Sequence, residues 1–211
     1  MDVGSLVSLR TSRRVSDFAL SCVVEGHGDR EALPVLLRRL LPVIRPGFAF
    51  HLTPPFRLPR ASLVNPGQLN RIVAVAAERA LPRGGVLVLF DADDDCPAEV
   101  GPYLRAVAQQ ARPDVPVELV LANREYEGWL LHGVKGLVQH RLMPASIERL
   151  GGDAEQVRDA KGMLSSLMVN ASYRPTLHQA AFTQLFDIGA AQQASRSFRQ
   201  LVSAITRLVG E

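Results

Sequence analysis

Acidic side chains follow three short apolar runs of the sequence, each at the point where the run ends. They are Glu25 after the first run, Asp91, Asp93, Asp94 and Asp95 after the second, and Glu125 and Glu127 after the third. Carboxylates held close together repel one another, and some take up protons unless a cation joins them. Oxygen ligands without a nearby cysteine or histidine (His27 excepted) suit Mg²⁺ or Mn²⁺ better than Zn²⁺. The sequence therefore predicts a magnesium or manganese site, provided that the fold brings the three run ends together.

The spacing within the second acidic run predicts which carboxylates point the same way. Asp91 and Asp93 are two residues apart, so their side chains project from one face of an extended backbone. Asp94 then points away, and it or Asp95 can cap the helix that follows. Each acidic position also has a structural interpretation, as a solvated turn, a helix-end charge or an exposed helical residue. The metal interpretation is favoured because it explains all three run ends together.

Four apolar runs alternate with amphipathic stretches and are predicted to be the strands that position these carboxylates. The strands are Phe18–Glu25, Phe48–Thr53, Val86–Phe90 and Val117–Ala122. Of the helices between them, the first can be capped by Asp29, the second runs from about Gln68, and the third can open at Pro97. Such alternation gives parallel strands, right-handed crossovers and helices on both faces of the sheet. We therefore expect an α/β fold with a four-stranded, mostly parallel sheet. Ligands of such a sheet bind outside the carboxyl ends of its strands.

The pattern changes near residue 133, where the apolar strands stop and the chain becomes helical. The last helix is the clearest, because its apolar residues form one stripe: Phe198, Leu201, Val202, Ile205, Leu208 and Val209. We expect a flexible lead-in over residues 1–16, an α/β domain over 17–133, and a helical extension over 134–211 that packs on it.

Composition excludes several classes of protein. The chain has 211 residues, 47% hydrophobic and 21% charged, unlike a disordered chain or a disulfide-stapled miniprotein. Its two cysteines, Cys22 and Cys96, have neither a zinc-site nor a disulfide-framework spacing. No apolar run suits a signal peptide or a membrane span, so we expect a cytoplasmic protein without membrane contact. Only two of the 24 basic residues, Lys135 and Lys161, are lysines, and the net charge of +3 permits a phosphate-bearing partner.

Two segments resemble the motifs of TOPRIM domains, which also occur in primases and topoisomerases. The first is VVEGHGDREALPVLL, a glutamate-glycine turn after a strand, and the second is LVLFDADDD, an Asp-x-Asp after a later strand. Further segments are similar to an uncharacterised bacterial TOPRIM-like family, a domain of unknown function related to the OLD-family nucleases: ANREYEGWLL, RDAKGML, YRPT and SRSFRQL. With these segments the resemblance covers nearly the whole chain.

The resemblance implies a metal-dependent site and a role for each matching residue. Glu25 would act in general acid/base chemistry or as a metal ligand, and Asp91 and Asp93 would hold magnesium. Glu127 matches an acidic position of the smaller family and would lie in or beside the metal shell. A glycine commonly follows the Asp-x-Asp of primases and topoisomerases, whereas the acidic run continues here. Asp95 is therefore a candidate further ligand, and the ligand set stays open.

Together, the residues and the resemblance predict metal-dependent hydrolysis of phosphodiester bonds in nucleic acid, with Mg²⁺ or Mn²⁺ as cofactor. The backbone amides of Gly26, His27 and Gly28, at a helix N-terminus, could meet a phosphate oxygen, or the glycines could serve only a tight turn. Lys161 is either a charge-stabilising residue of the site or a solvated helix residue.

Two other functions stay open at this point. One is a non-catalytic TOPRIM-like module that binds metal or nucleic acid and works with a partner protein, consistent with the lack of a GxxxxGK[ST] loop in this sequence. The other is an aspartyl phosphotransferase or phosphatase, since Asp-x-Asp after a strand also suits an aspartyl nucleophile. That chemistry usually has a threonine or serine where Asp95 stands. The sequence indicates neither the oligomeric state nor a choice between DNA and RNA.

Overall fold

Five strands form one parallel sheet in the computed structural model, which describes residues 18–147 and 157–210. The strands are β1 (Ala19–Val24), β2 (His51–Leu52), β3 (Phe56–Arg57), β4 (Gly84–Asp91) and β5 (Val117–Ala122). They lie in the order β2-β1-β4-β5, β3 also pairs with β1, and every pairing is parallel. The predicted α/β fold with a parallel sheet is confirmed. The predicted lead-in over residues 1–16 lies outside the described residues.

The edge strand differs from the prediction, which placed one strand over Phe48–Thr53. Two short strands instead follow one another along β1, because β2 pairs with its first residues and β3 with its last. Pro54 and Pro55 stand between them and have no N–H to donate to β1, which interrupts the ladder. The predicted strand also began too early. Phe48 lies in a turn, where its N–H donates to the Arg45 carbonyl oxygen at 3.2 Å.

Helices cover both faces of the sheet. In the described residues they are α1 (His27–Ile44), α2 (Arg60–Leu63), α3 (Pro66–Ala80), α4 (Pro97–Ala111), α5 (Glu127–His132), α6 (Ala160–Leu167), α7 (Ala180–Leu185), α8 (Ile188–Ala194) and α9 (Arg196–Val209), with a 3₁₀ helix at Val134–Gln139 and a π-helix at Pro175–Gln179. Leu87 and Leu89 of β4 share an apolar cluster with α1 and α9, whereas Val86, Val88 and Phe90 share another with α3 and α4. Strand β4 is thus buried on both sides, as its continuous apolar run predicts.

Side-chain caps set where α3 and α9 begin. The Asn65 side chain accepts the N–H of Gln68 at 3.0 Å, and the Ser195 hydroxyl accepts the N–H of Phe198 at 3.0 Å. The predicted apolar stripe of α9 is confirmed: Phe198, Leu201, Ile205, Leu208 and Val209 are buried, and Val202 is partly buried. This stripe fixes α9 against β4 and β5.

The described residues after 133 are mostly helical, and they share one apolar cluster with the sheet. Trp129 lies at the centre of that cluster and is 1% exposed. Its indole N–H donates to the Ser197 hydroxyl at 2.8 Å, and its ring packs edge-on against Phe198 with centroids 5.3 Å apart. The helices therefore reach the strand ends from the side of α1. The division at residues 133 and 134 stays a prediction.

Within the described ranges, no helix has both the length and the apolar character needed to cross a membrane. Cys22 is a buried free thiol whose pKa is raised to about 12 by burial, and Cys96 is free and exposed. Neither thiol lies among the carboxylates described next.

Candidate functional site

The carboxyl ends of β1, β4 and β5 meet at one edge of the sheet, because the three strands are parallel and adjacent. The carboxylates at these ends form what we call the acidic edge: Glu25, Asp29, Asp91, Glu125 and Glu127. Glu25 directly follows β1, Asp91 is the last residue of β4, and Glu127 is the first residue of α5, just beyond β5. The topology therefore brings the three predicted run ends to one place.

Asp91 is partly buried, and the fold perturbs its protonation. Burial raises the pKa of Asp91 well above its ordinary range, and the carboxylates of Asp29 and Glu127 raise it further. The Lys161 ammonium lowers it, as does the N–H of Tyr126, which donates to Asp91 Oδ1 at 2.8 Å. These two favourable contacts do not cancel the rise, so the ionised form of Asp91 lacks sufficient compensating charge.

Glu127 is more deeply buried than Asp91, with only 1% of its surface exposed. Burial raises its pKa to about 7, although the Lys161 ammonium, 3.6 Å from Glu127 Oε2, lowers it. Tyr173 is also close: burial, and then the Glu127 carboxylate, raise the pKa of its phenol, which stays protonated. Glu127 is therefore half-protonated near neutral pH and becomes a buried anion above it.

Lys161 lies in the first turn of α6 and belongs to this group of charges. Its Nζ is 2.6 Å from Glu125 Oε1, while the N–H of Ala160 donates to Glu125 Oε2 at 3.1 Å. Burial lowers the pKa of Lys161, but Glu127 and Glu125 outweigh that effect and raise it. The ammonium therefore stays charged. The structure brings the Lys161 ammonium to the acidic edge, although 39% of the side chain is exposed, and its role in charge stabilisation stays a prediction.

Asp29 belongs to the site in a way that the sequence analysis missed. It was predicted to cap α1, but α1 begins at His27 and Asp29 lies inside the first turn. There its Oδ2 accepts the N–H of Gly26 at 2.9 Å, and its Oδ1 accepts the Gln179 side-chain N–H at 2.6 Å. The side chain is buried, and its charge raises the pKa of Asp91. The sequence feature that could have indicated Asp29 is its position four residues after Glu25, on the turn that follows β1.

Glu25 carries an oxygen atom without a partner. Its Oε2 is buried and finds no hydrogen-bond donor among the described residues. Burial raises the pKa of Glu25, and the nearby Asp93 carboxylate raises it further, while Arg60 lowers it. Since buried polar atoms are nearly always satisfied, such an oxygen is a candidate contact for a ligand or a proton.

Asp93 and Asp95 lie on the turn that follows β4, and their part in a metal site stays a prediction. Strand β4 ends at Asp91, and Asp93 has a φ of 51°, so the alternation of an extended strand no longer applies. Arg60 binds both side chains, with its Nε 3.3 Å from Asp93 Oδ2, and also donates to the carbonyl oxygens at the end of β4. Nothing in the sequence marks Arg60, which reaches the turn from α2.

The predicted phosphate-binding turn is also formed differently. The N–H of Gly26 already donates to Asp29, and a Cβ on Gly28 would lie 2.8 Å from Pro175 Cβ. Gly28 is therefore required for the close approach of the π-helix to α1. Gly26 has an extended backbone, and a Cβ there would lie 2.7 Å from Asp29 Oδ2. His27 is exposed. The packing of Gly28 supports the structural interpretation of that glycine, and phosphate binding at this turn stays a prediction.

The donor set of the acidic edge fits a hard divalent cation. All of its ligand atoms are carboxylate oxygens. Burial raises the pKa values of Asp91, Glu127 and Glu25, and neighbouring carboxylates raise them further. Among the described residues, however, no three Asp, Glu, His or Cys side chains are gathered closely enough to hold an ion as they stand. Binding would therefore require the carboxylates to draw together.

No family model matches the chain, and no curated protein matches it. Among solved structures, the chain is similar to the C-terminal region of the Burkholderia pseudomallei OLD protein. The similarity covers 90% of this chain and 98% of that chain, with 11% sequence identity and a TM-score of 0.40. Membership of the TOPRIM-like family is therefore not shown and stays a prediction.

Proposed function

We propose that the protein hydrolyses phosphodiester bonds in nucleic acid, using a divalent cation held at the acidic edge. The observation that carries this proposal is the burial of two carboxylates that repel each other at the carboxyl ends of the strands, partial for Asp91 and complete for Glu127, with raised pKa values for both. A buried anionic pair is unfavourable on its own, and a cation is its natural complement. The charge of Asp29 raises the pKa values of both Asp91 and Glu127, and Asp29 completes the suggested ligand group.

Each nearby residue then has a role that follows from its surroundings. A bound Mg²⁺ or Mn²⁺ would neutralise phosphate charge and lower the pKa of a bound water. Glu25, whose Oε2 is unpaired and whose pKa is raised, would accept the proton of the attacking water or return one to the leaving oxygen. Lys161, held by Glu125, would place a permanent positive charge beside the phosphate.

A polyanionic substrate is supported by the arginines at this edge of the sheet. Arg57 donates to the Glu25 carbonyl oxygen at 3.4 Å, and Arg60 contacts the end of β4. Arg124 and Arg158 lie next to Asp94, beyond the end of β4. An acidic centre among arginines suits a phosphodiester chain, because the arginines attract the backbone while the cation binds the reacting phosphate.

Cleavage assays test the proposal directly. The purified protein is incubated with supercoiled DNA, single-stranded DNA and RNA in Mg²⁺ or Mn²⁺, with EDTA as the metal-free reference. We expect cleavage of at least one substrate, lost in EDTA and reduced at least 100-fold in Asp91→Asn and Glu127→Gln. Glu78→Gln is the matched control, because Glu78 is an exposed carboxylate near the end of α3, away from the acidic edge.

Three results would contradict the proposal. They are no cleavage of any substrate with either cation, cleavage that persists in EDTA, and cleavage that is equal in Asp91→Asn and Glu78→Gln. Metal-dependent binding of nucleic acid without cleavage would instead support the non-catalytic module.

A further inference from the structure

Asp94 holds two arginines at the side of the acidic edge next to β5. The side chain of Asp94 is 90% exposed, and its Oδ1 lies 3.6 Å from Arg124 Nη1 and 3.7 Å from Arg158 Nη1. Arg124 lies between β5 and α5, and Arg158 lies just before α6, so the two reach one carboxylate from different parts of the chain. Two guanidinium groups therefore surround a single exposed anion.

Backbone contacts position both arginine residues next to Asp94. Arg124 precedes Glu125, and Glu125 pins the start of α6 through Ala160 and Lys161, which brings Arg158 alongside. Arg124 has a φ of 58° and accepts the N–H of Asp93 at its carbonyl oxygen, at 3.0 Å. Positive φ is strained for a side-chain-bearing residue, and such strain clusters at functional sites. A residue with a strained backbone thus lies where β4 and β5 end and these side chains meet.

The arginine on the other side of the edge is held differently. Arg60 donates to the carbonyl oxygens of Asp91 and Ala92 as well as to two carboxylates, so it is part of the structure of the turn. The contacts of Arg124 and Arg158 with Asp94 are longer, and Asp94 and Arg158 are exposed whereas Arg124 is partly buried. Ion pairs to such an exposed carboxylate are weak and exchange readily with other anions.

We propose that Arg124 and Arg158 together bind a backbone phosphate of the nucleic acid next to the acidic edge, and that Asp94 occupies the phosphate position until the substrate arrives. The proposal rests on the proposed function, since it identifies how that substrate is held. Asp94 keeps two flexible cationic side chains gathered in one place. A backbone phosphate matches the carboxylate in charge and in its two free oxygens, and it replaces Asp94 because binding of the polyanion also releases counterions.

Binding without cleavage tests this proposal. A fluorescein-labelled single-stranded DNA of about 20 nucleotides, long enough for several phosphate contacts, and its duplex are titrated in EDTA at several salt concentrations, with fluorescence anisotropy as the readout. We expect Arg124→Gln and Arg158→Gln each to weaken binding of the single strand about fivefold at 0.1 M salt and to reduce the salt slope by about 0.7. Arg83→Gln, which removes an exposed charge at the opposite edge of the sheet, should change neither.

The opposite sign is expected for Asp94. Asp94→Asn should tighten binding by up to about fivefold, because it frees both arginines. Glu99→Gln is its control: Glu99 is exposed on the first turn of α4 and has no arginine partner among the described residues. Equal effects of Asp94→Asn and Glu99→Gln would overturn the proposal, and so would unchanged binding in both arginine variants or no binding by the wild-type protein.

Failure of this inference is distinguishable from failure of the proposed function. If the wild-type protein cleaves nucleic acid and the arginine variants bind and cleave equally well, only the phosphate site is wrong. If the arginine variants lose binding while no cleavage occurs under any condition, the phosphate site stands and the hydrolytic function is wrong.

Discussion

Replacing Glu127 by glutamine is expected to stabilise the protein at alkaline pH, although it removes a charged partner of Lys161. Glu127 is 1% exposed, and burial raises its pKa from the ordinary 4.5 to about 7. Below pH 4.5 the carboxyl group is protonated in both the folded and the unfolded protein, so it imposes no penalty. Between pH 4.5 and 7 only the folded protein retains the proton, and folding stability falls as the pH rises. Above pH 7 the full penalty applies.

The size of this penalty follows from the pKa difference. A rise from 4.5 to about 7 corresponds to about 3 kcal/mol of unfolding free energy at pH 8, and to less than about 1 kcal/mol at pH 5. Glutamine has nearly the same shape and no charge, so it avoids the penalty. Glu127→Gln should therefore be more stable than the wild-type protein by about 3 kcal/mol at pH 8 and by much less at pH 5.

Urea unfolding followed by circular dichroism, at pH 5 to 8 in EDTA, measures the difference. Glu31→Gln serves as the control, because Glu31 is exposed on α1 and its substitution should shift stability by less than about 0.5 kcal/mol at every pH. The reasoning is refuted if Glu127→Gln destabilises the protein at pH 8, or if its effect is the same at pH 5 and pH 8.

Three further outcomes are expected from the same structure. Lys161→Gln should raise the pKa of Glu127 above about 7, because the ammonium lowers it now; carbon-13 NMR titration of the carboxyl group would show a fall or no change if this is wrong. Glu118→Gln should lower the unfolding free energy by about 1–3 kcal/mol, since Glu118 is buried on β5 and binds arginines from α4 and α9; urea unfolding would show no loss if these bonds are unimportant. Gly28→Ala should lower the unfolding free energy by about 1–3 kcal/mol, because the added Cβ clashes with the π-helix. Gly101→Ala should raise it by about 0.5–1 kcal/mol, because the nearest neighbour of the added Cβ is 3.9 Å away and alanine favours the helix. A change of the same sign in both variants would contradict the packing argument.

Much of the fold could be predicted because its signals are local. The continuous apolar run predicts that β4 is buried on both faces, and the helical spacing predicts that α9 buries one stripe. The divided edge strand could not be read in the same way. Its two parts are defined by pairing with β1, and the two prolines between them do not reveal that pairing resumes at Phe56.

The site was predictable to the extent that strand ends determine position. Asp91, Glu127 and Glu25 were placed at one edge because parallel strands end together, and the structure puts them there. The direction of the Asp93 side chain could not be predicted from spacing, because spacing does not reveal the left-handed φ of this residue. The contacts of Arg60 with the β4 turn join residues more than 30 positions apart, for which the sequence carries no periodic signal.

Isothermal titration calorimetry with Mn²⁺ tests the central claim, that carboxylates of the acidic edge bind a divalent cation. We predict saturable binding of Mn²⁺ at pH 8 that weakens at pH 6, because protons compete with the ion at Glu127, whose pKa is about 7. Binding should be lost in Asp91→Asn and Glu127→Gln and retained in Glu78→Gln. Absence of saturable binding by the wild-type protein at pH 8, or equal binding by all four proteins, would contradict it.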